Sequence, residues 1–172
     1  LGLLLCAPLL GLLWLICYFD TRVPLFRQER LGRCHRPFVL VKFRTMHFNT
    51  ASVASHLADK STITSLGHFL RRTKLDELPQ LWNVLCGEMS LVGPRPCLLS
   101  QKELIAERAK RAALDVRPGI TGLAQIRNID MSTPELLAKT DAEMISTMSV
   151  ANYFKYIFFT LVGKGQGDRV SR

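Results

Sequence analysis

An α+β fold, mostly helical with one small β-hairpin and led by an apolar membrane segment, is what this sequence predicts. Three observations predict it. Apolar residues recur at helical spacing in several separate stretches, two short β-branched runs flank Gly32, and Leu1 to Phe19 carry no charge. At 172 residues the chain can build one domain with a real core. Its 23 basic and 14 acidic residues leave a formal charge of +9, which implies an anionic partner: nucleic acid, acidic lipid or a phosphorylated small molecule. The five cysteines form no CxxC pair and the four histidines no HExxH. Neither a disulfide framework nor a zinc site is expected, and a reduced, cytosol-facing body fits.

As a helix, the uncharged first segment would reach about 28 Å, borderline for crossing a hydrocarbon layer. No small-residue cleavage site follows Phe19, whereas Asp20 and Arg22 do, so the segment reads as uncleaved. Pro8 removes a backbone hydrogen bond in its middle and bends it. Two forms stay open: a kinked span, or a re-entrant hairpin whose ends share one face. Arg22, Arg27, Arg30, Arg33 and Arg36 follow and place that side at the cytoplasmic surface. The expected organisation is an anchor over residues 1–19 and a cytosol-facing body over 20–172.

The runs beginning at Val23 and Pro37, with Gly32 between them, predict the hairpin. Alternation along the second run puts Lys42 and Arg44 on one face, either solvated or turned to an anion. Residues 47–62 are polar and read as a loop. Ser65 is expected to cap a short helix carrying Leu66, Phe69 and Leu70 and ending at Arg71–Arg72.

Thr73 to Gly87 is the central stretch. Leu78, Leu81, Trp82 and Leu85 fall at i, i+3, i+4 and i+7, and Pro79 fits only a first turn. The predicted helix therefore starts near Asp76–Glu77 and ends at Gly87. Both carboxylates would sit at the positive end of its dipole. Adjacent positions diverge by about 100° around a helix, which suggests divided labour: one oxygen attacking, the other holding a cation. Plain acidic capping is the alternative reading of those two residues alone.

Ser90 to Pro96 contains Gly-Pro-Arg-Pro, a stiff extended turn that presents Arg95 for a phosphate or carboxylate, or serves as a turn only. Residues 99–114 predict an amphipathic helix whose Lys and Arg form a solvated face. Val116 to Gly122 is a second Pro- and Gly-shaped loop, carrying Arg117 but no Walker lysine. Thr133–Pro134 starts a helix to about Met148, with Asp141 on the face of Leu137 and Met144, costly there unless partnered. Val150, Tyr153, Phe154, Ile157, Phe158 and Leu161 form a last aromatic face, split between core and membrane interface.

Taken in order, these stretches resemble the bacterial sugar transferase family, the small monotopic phosphoglycosyl transferases. The resemblance is carried by Leu25-Phe-Arg-Gln-Glu-Arg-Leu-Gly, Lys42-Phe-Arg-Thr-Met, Leu70-Arg-Arg-Thr-Lys-Leu-Asp-Glu-Leu-Pro-Gln-Leu-Trp-Asn-Val, Leu91-Val-Gly-Pro-Arg-Pro and Arg117-Pro-Gly-Ile-Thr-Gly. It covers the chain from the anchor to at least Gln125. It implies transfer of a sugar 1-phosphate from a UDP-sugar to a polyprenyl phosphate such as undecaprenyl phosphate, with release of the nucleoside monophosphate. It implies Asp76 as a nucleophile that becomes an acyl phosphate, and Glu77 as the Mg²⁺ ligand. It further implies an anchor of helix–break–helix form, entering and leaving on the cytoplasmic face of a bacterial inner membrane.

Lys42, Arg44, Arg72, Arg95 and Arg117 are assigned to the phosphates on this reading. Thr121 and Gln125 are assigned to substrate, and Asp141 to a helper acid or metal ligand. After Gln125 the family's usual Asn-Gly-Arg-Asn is replaced by Arg127-Asn-Ile-Asp130, so the sugar is not specified. An aspartyl-phosphate hydrolase using water as acceptor is a competing enzyme. A basic lipid- or nucleic-acid-binding module is the competing non-enzyme, although aromatics interleaved with basic residues are sparse and nucleic acid is not expected. A lipid-facing surface and a homodimer contact would share the same apolar signature.

Overall fold

The computed structural model describes residues 2–48, 50 and 60–163, the side chains of 2–6 and 60 aside. It is a mixed helix and strand fold with two small sheets, each of two strands. Helix α1 (Gly2–Thr21) leads to β1 (Leu25–Leu31) and β2 (Pro37–Phe43), then to α2 (Ser65–Thr73) and α3 (Gln80–Leu85). Strand β3 (Ser90–Val92), α4 (Lys102–Ala109), β4 (Gly119–Thr121) and α5 (Leu123–Ile126) follow, and α6 (Pro134–Ser146) and α7 (Val150–Leu161) close the described chain. Two compact units divide it: residues up to Gln28 with Val39–Leu85, and Glu29–Phe38 with Cys86–Gln166.

The predicted hairpin is present. At its open end Arg44 N–H donates to the Pro24 carbonyl at 2.8 Å, and at its turn Gly32 N–H donates to the Arg36 carbonyl at 2.9 Å. Cys34 and His35 form the turn with φ of 52° and 61°. Two successive left-handed residues match the twist of a hairpin, but neither type adopts that backbone freely. Replacing Cys34-His35 by Asn-Gly is expected to relieve about 1 kcal/mol per residue. At this chain size that is a rise of roughly 2–4 °C in unfolding midpoint per kcal/mol. An unchanged midpoint in a thermal melt would show that the turn carries no strain.

In the first unit, Leu13, Cys17, Phe43 and Leu70 make the core. Helix α1 meets it along Leu10, Leu13 and Cys17, while Leu12, Leu15, Ile16 and Phe19 stay exposed. The expected break at Pro8 is not present: α1 is one helix with Pro8 inside it. A proline costs its own N–H bond, and the remaining turns keep theirs. Among the described residues, no helix is long and apolar enough to cross a membrane. Thr64, not Ser65, caps α2, its hydroxyl accepting from Gly67 N–H at 2.9 Å. Gly67 lies so close to the backbone just after β2 that an added Cβ would stand 2.0 Å from the Thr45 carbonyl oxygen.

The central helix differs most from expectation. Lys74, left-handed at φ 58°, ends α2, and a 3-10 turn over Leu75–Glu77 precedes the short α3. The predicted stripe splits: Leu78 packs against the Leu13–Cys17–Phe43–Leu70 core and Leu81 is half-buried, whereas Trp82 is 57% and Leu85 68% exposed and Gln80 and Asn83 are buried. The cause is the side of β2 that faces α3. Asn83 Nδ2 donates to the Val39 carbonyl at 2.8 Å and its Oδ1 accepts from Val41 N–H at 3.2 Å, so one amide satisfies strand backbone that would otherwise be orphaned.

In the second unit, the two Pro- and Gly-shaped loops pair. Strands β3 and β4 run parallel, Ser90 opposite Gly119 and Val92 opposite Thr121. A Cβ on Gly119 would stand 2.0 Å from Gly93 N, so the approach requires glycine. Leu31, Cys97, Leu104, Leu114, Ala124 and Leu137 form one core here, and Val92, Leu123, Met144 and Tyr156 another. Helix α4 is shorter than the predicted 99–114, and its expected solvated basic face is broken by Arg108, which is 1% exposed. Pro134 opens α6 as expected. Helix α7 splits its apolar residues: Tyr153, Tyr156 and Ile157 pack inward, while Val150, Phe154, Phe158 and Leu161 are exposed. Most of the 47–62 loop lies outside the described residues.

Candidate active site

Two adjacent carboxylates are built into the first unit by the way α2 ends. The left-handed Lys74 turns the chain into the 3-10 turn, and Leu75 and Leu78 on either side pack against the Leu13–Cys17–Phe43–Leu70 core. Asp76 and Glu77 are thereby held at 4% and 8% exposure. Neither carboxylate is without a partner. An acid held this far from water is costly unless compensated, which sets the pair apart from ordinary helix capping. Successive residues of a 3-10 turn diverge by roughly 120°, so the two carboxylates serve different directions. The charge of Asp76 reaches the Cys17 thiol of α1.

The same unit holds Lys42, Arg44 and Arg72. Lys42 Nζ and the Arg44 guanidinium stand 5.5 and 5.6 Å from the centre of the Phe26 ring, so the two cations share a face as their alternation predicts. Lys42 is buried, and Arg44 Nε donates to the Val23 carbonyl at 3.0 Å. Arg72 is exposed in the last turn of α2.

The second unit holds Arg95, Arg117, Thr121, Gln125 and Asp141. Asp141 is 1% exposed on α6, and its Oδ2 accepts from Arg108 Nε at 2.9 Å and lies 2.7 Å from Arg108 Nη2. Arg108 Nη1 donates to the Arg95 carbonyl at 2.8 Å, and Arg30 Nη1 donates to the Pro96 carbonyl at 3.0 Å. Two buried arginines therefore clamp the backbone of the Gly-Pro-Arg-Pro turn. Burial pushes the Asp141 carboxyl up, against the pull of the Arg108 charge and hydrogen bond. The enclosed Asp141 carboxylate thus faces Arg108. Its second oxygen, Oδ1, is buried without a hydrogen-bond partner.

Thr121, buried on β4, spends its hydroxyl on Thr160 of α7. Gln125 Nε2 reaches the Ile120 carbonyl at 3.4 Å, while its Oε1 is buried with no partner. Arg117 is exposed and borders two cavities. Arg127, in the segment that departs from the family pattern, forks onto Glu143 at 2.6 and 2.7 Å. Arg108 and Asn83 were not singled out by sequence reasoning. Arg108 stands four residues after Leu104 on the inward face of α4, a spacing that could have marked it.

The chain is 39% identical over 167 residues to a UDP-glucose:undecaprenyl-phosphate glucose-1-phosphate transferase of Caulobacter vibrioides, covering 91% of this chain and 62% of that protein. It is 34% identical over 174 residues to a UDP-galactose-lipid carrier transferase of Erwinia amylovora, covering 91% of this chain but 36% of the relative. The exopolysaccharide production protein PSS of Rhizobium leguminosarum is 37% identical over 180 residues, 95% of this chain and 88% of that one. The chain thus spans under two thirds of the length of the first two. The family model described as bacterial sugar transferase matches residues 1–165, and the chain belongs to that family.

Proposed function

We propose that this protein transfers a sugar 1-phosphate from a UDP-sugar to a polyprenyl phosphate, undecaprenyl phosphate by analogy with its relatives, through a covalent intermediate on Asp76. The observation that carries the reading is the pair of buried adjacent carboxylates, Asp76 and Glu77, held by Leu75 and Leu78 in a chain of the bacterial sugar transferase family. An Asp76 oxygen attacks the sugar-bearing β-phosphorus, an O–P bond forms, and the bond to the α-phosphate breaks so that UMP leaves. A phosphate oxygen of the polyprenyl acceptor then attacks the same phosphorus and returns Asp76 as carboxylate. Splitting the transfer in this way predicts ping-pong kinetics. Lys42, Arg44 and Arg72 lie in the unit of the nucleophile and are assigned to phosphate charge.

The donor set suits Mg²⁺. Among the described residues no three His, Cys, Asp or Glu side chains gather as a closed cage. Mg²⁺ does not require one, since it binds through one or two carboxylates, water and substrate phosphates. Glu77 would hold it, and when bound it would neutralise charge on the diphosphate. Exposed Leu12, Leu15, Ile16 and Phe19 of α1, with Trp82 and Leu85 of α3, support a monotopic seat in one leaflet of the inner membrane. Arg22 and Arg27 just after α1 favour its cytoplasmic face.

The test incubates the protein with Mg²⁺ and candidate UDP-sugars without acceptor, and seeks a sugar-phosphate adduct on the peptide holding Asp76 by mass spectrometry. Adding polyprenyl phosphate is expected to discharge the adduct into lipid-linked sugar diphosphate. Turnover without any adduct removes the covalent route, and release of free sugar phosphate as the product favours the hydrolase.

A further inference from the structure

Two thiols of the second unit border one cationic cavity. Cys34 of the hairpin turn and Cys86 after α3 are free and exposed, and both line a cavity of about 500 Å³. Arg33, Arg36 and Arg117 line it too. Its walls are tied down: Cys34 N–H donates to the Leu114 carbonyl at 2.8 Å, and Arg33 Nε donates to the Asp115 carbonyl at 2.8 Å. At the other thiol, a Cβ built on Gly87 would stand 3.7 Å from Arg117 Nη2, so a guanidinium lies beside that end as well. Arg36 makes no side-chain hydrogen bond or ion pair among the described residues, which leaves its fork available. Glu88 also borders the space and has a partner of its own. Shape alone does not account for cysteine at this turn. Cys34 and His35 hold left-handed backbone at φ 52° and 61°, where Asn-Gly would sit without strain, and strain of that kind gathers at functional sites.

We propose that Cys34 and Cys86 form a thiol-exchange site for acidic low-molecular-weight disulfides, of which glutathione disulfide is the type. The thiols supply nucleophilic sulfur, and the arginines select charge, because guanidinium forks match carboxylates and each half of such a disulfide carries carboxylates at both ends. The cysteine thiol gives its proton to water, and its sulfur attacks one sulfur of the disulfide. A new S–S bond joins protein and ligand, and the old S–S bond breaks. The second half leaves as a thiolate that takes up a proton. The protein sulfur is oxidised and the departing half is reduced, so electrons balance with the disulfide as oxidant. Cys17 and Cys97, buried and outside this cavity, are not expected to take part. Such exchange goes beyond sugar-phosphate transfer and does not depend on it.

The test mixes reduced protein with glutathione disulfide or with cystamine, a cationic disulfide, quenches with acid, and follows each cysteine by peptide mass. Each rate is divided by that of the same cysteine in protein unfolded in urea, which removes the intrinsic reactivity of each disulfide. At Cys34 and Cys86 the folded protein is expected to favour glutathione disulfide over cystamine by about tenfold, the worth of two exposed arginine–carboxylate contacts. Arg36→Gln is expected to lower that preference by about threefold. Lys102→Gln removes the same charge from outside the cavity and is expected to leave the preference unchanged, which separates the local arginines from the net charge of +9. Cys17 and Cys97 staying unlabelled shows that each variant is folded, and the wild-type ratio needs no variant. A ratio near one, a preference at only one of the two thiols, an unchanged ratio in Arg36→Gln, or an equal fall in Lys102→Gln overturns the site. Labelling is read without turnover, so none of these results bears on an adduct at Asp76.

Discussion

Asp76→Asn is expected to abolish turnover, by about 10⁴-fold or more, as the loss of a covalent nucleophile does in other enzymes. The substitution keeps the shape of a side chain that is 4% exposed between two core leucines, so the fold should persist. Exchanging an acceptor oxygen for an amide costs about 1–3 kcal/mol where the oxygen is buried and bonded, within the 5–15 kcal/mol that a typical domain can lose. Glu77→Gln should behave differently. If Glu77 serves the metal and not the phosphorus, its variant should still form some adduct on Asp76 and should need more Mg²⁺ to do so. The measurement is single-turnover transfer in lipid nanodiscs across a Mg²⁺ series, with circular dichroism to confirm the fold. An Asp76→Asn protein retaining a tenth of wild-type turnover would end the nucleophile reading, and identical behaviour of the two variants would end the division of labour.

Periodicity along the sequence located the elements but misjudged which side of one of them faces inward. The stripe Leu78, Leu81, Trp82 and Leu85 has helical spacing, and a helix does form over Gln80–Leu85. Spacing alone does not say whether an apolar face meets a core or a bilayer, and Trp82 and Leu85 are outside. What turned α3 over is Asn83, whose amide satisfies β2 backbone, a contact set by a strand more than forty residues earlier. The start of that helix was misplaced for a local reason. Lys74 adopts left-handed backbone, unusual for lysine, so the acids sit on a separate 3-10 turn.

Short strands were equally hidden. Ser90-Leu-Val and Gly119-Ile-Thr are too brief to show alternation, and their pairing rests on the close approach of Gly93 and Gly119. By contrast, Lys42 and Arg44 sharing one face followed directly from strand period, and the approach of both to the Phe26 ring agrees with it. Asp141 was legible as an acid needing a partner, but the partner was not. Arg108 belongs to a charged run in which each basic residue looks alike until α4 and α6 pack.

Breaking that pair is expected to be the most damaging single change for stability. Asp141→Leu leaves the Arg108 guanidinium, 1% exposed, without its counterion, and removing one member of a buried pair costs about 3–5 kcal/mol. For a chain of this size that is a fall of roughly 6–20 °C in the unfolding midpoint. Arg108→Met should cost a similar amount, because it strands the Asp141 carboxylate and releases the Arg95 carbonyl that Nη1 holds at 2.8 Å. The double variant Arg108→Met with Asp141→Leu distinguishes an ion pair from simple packing. If the cost is that of a stranded charge, the double variant recovers much of the loss of either single one, since apolar replacements of a buried pair are often tolerated. If the two losses add, the pair is no coupled unit. The double variant also isolates what the clamp does for Arg95: with stability restored but the carbonyl still unheld, the donor KM should rise while the Mg²⁺ requirement stays put. A KM equal to wild type would confine Arg108 to the fold.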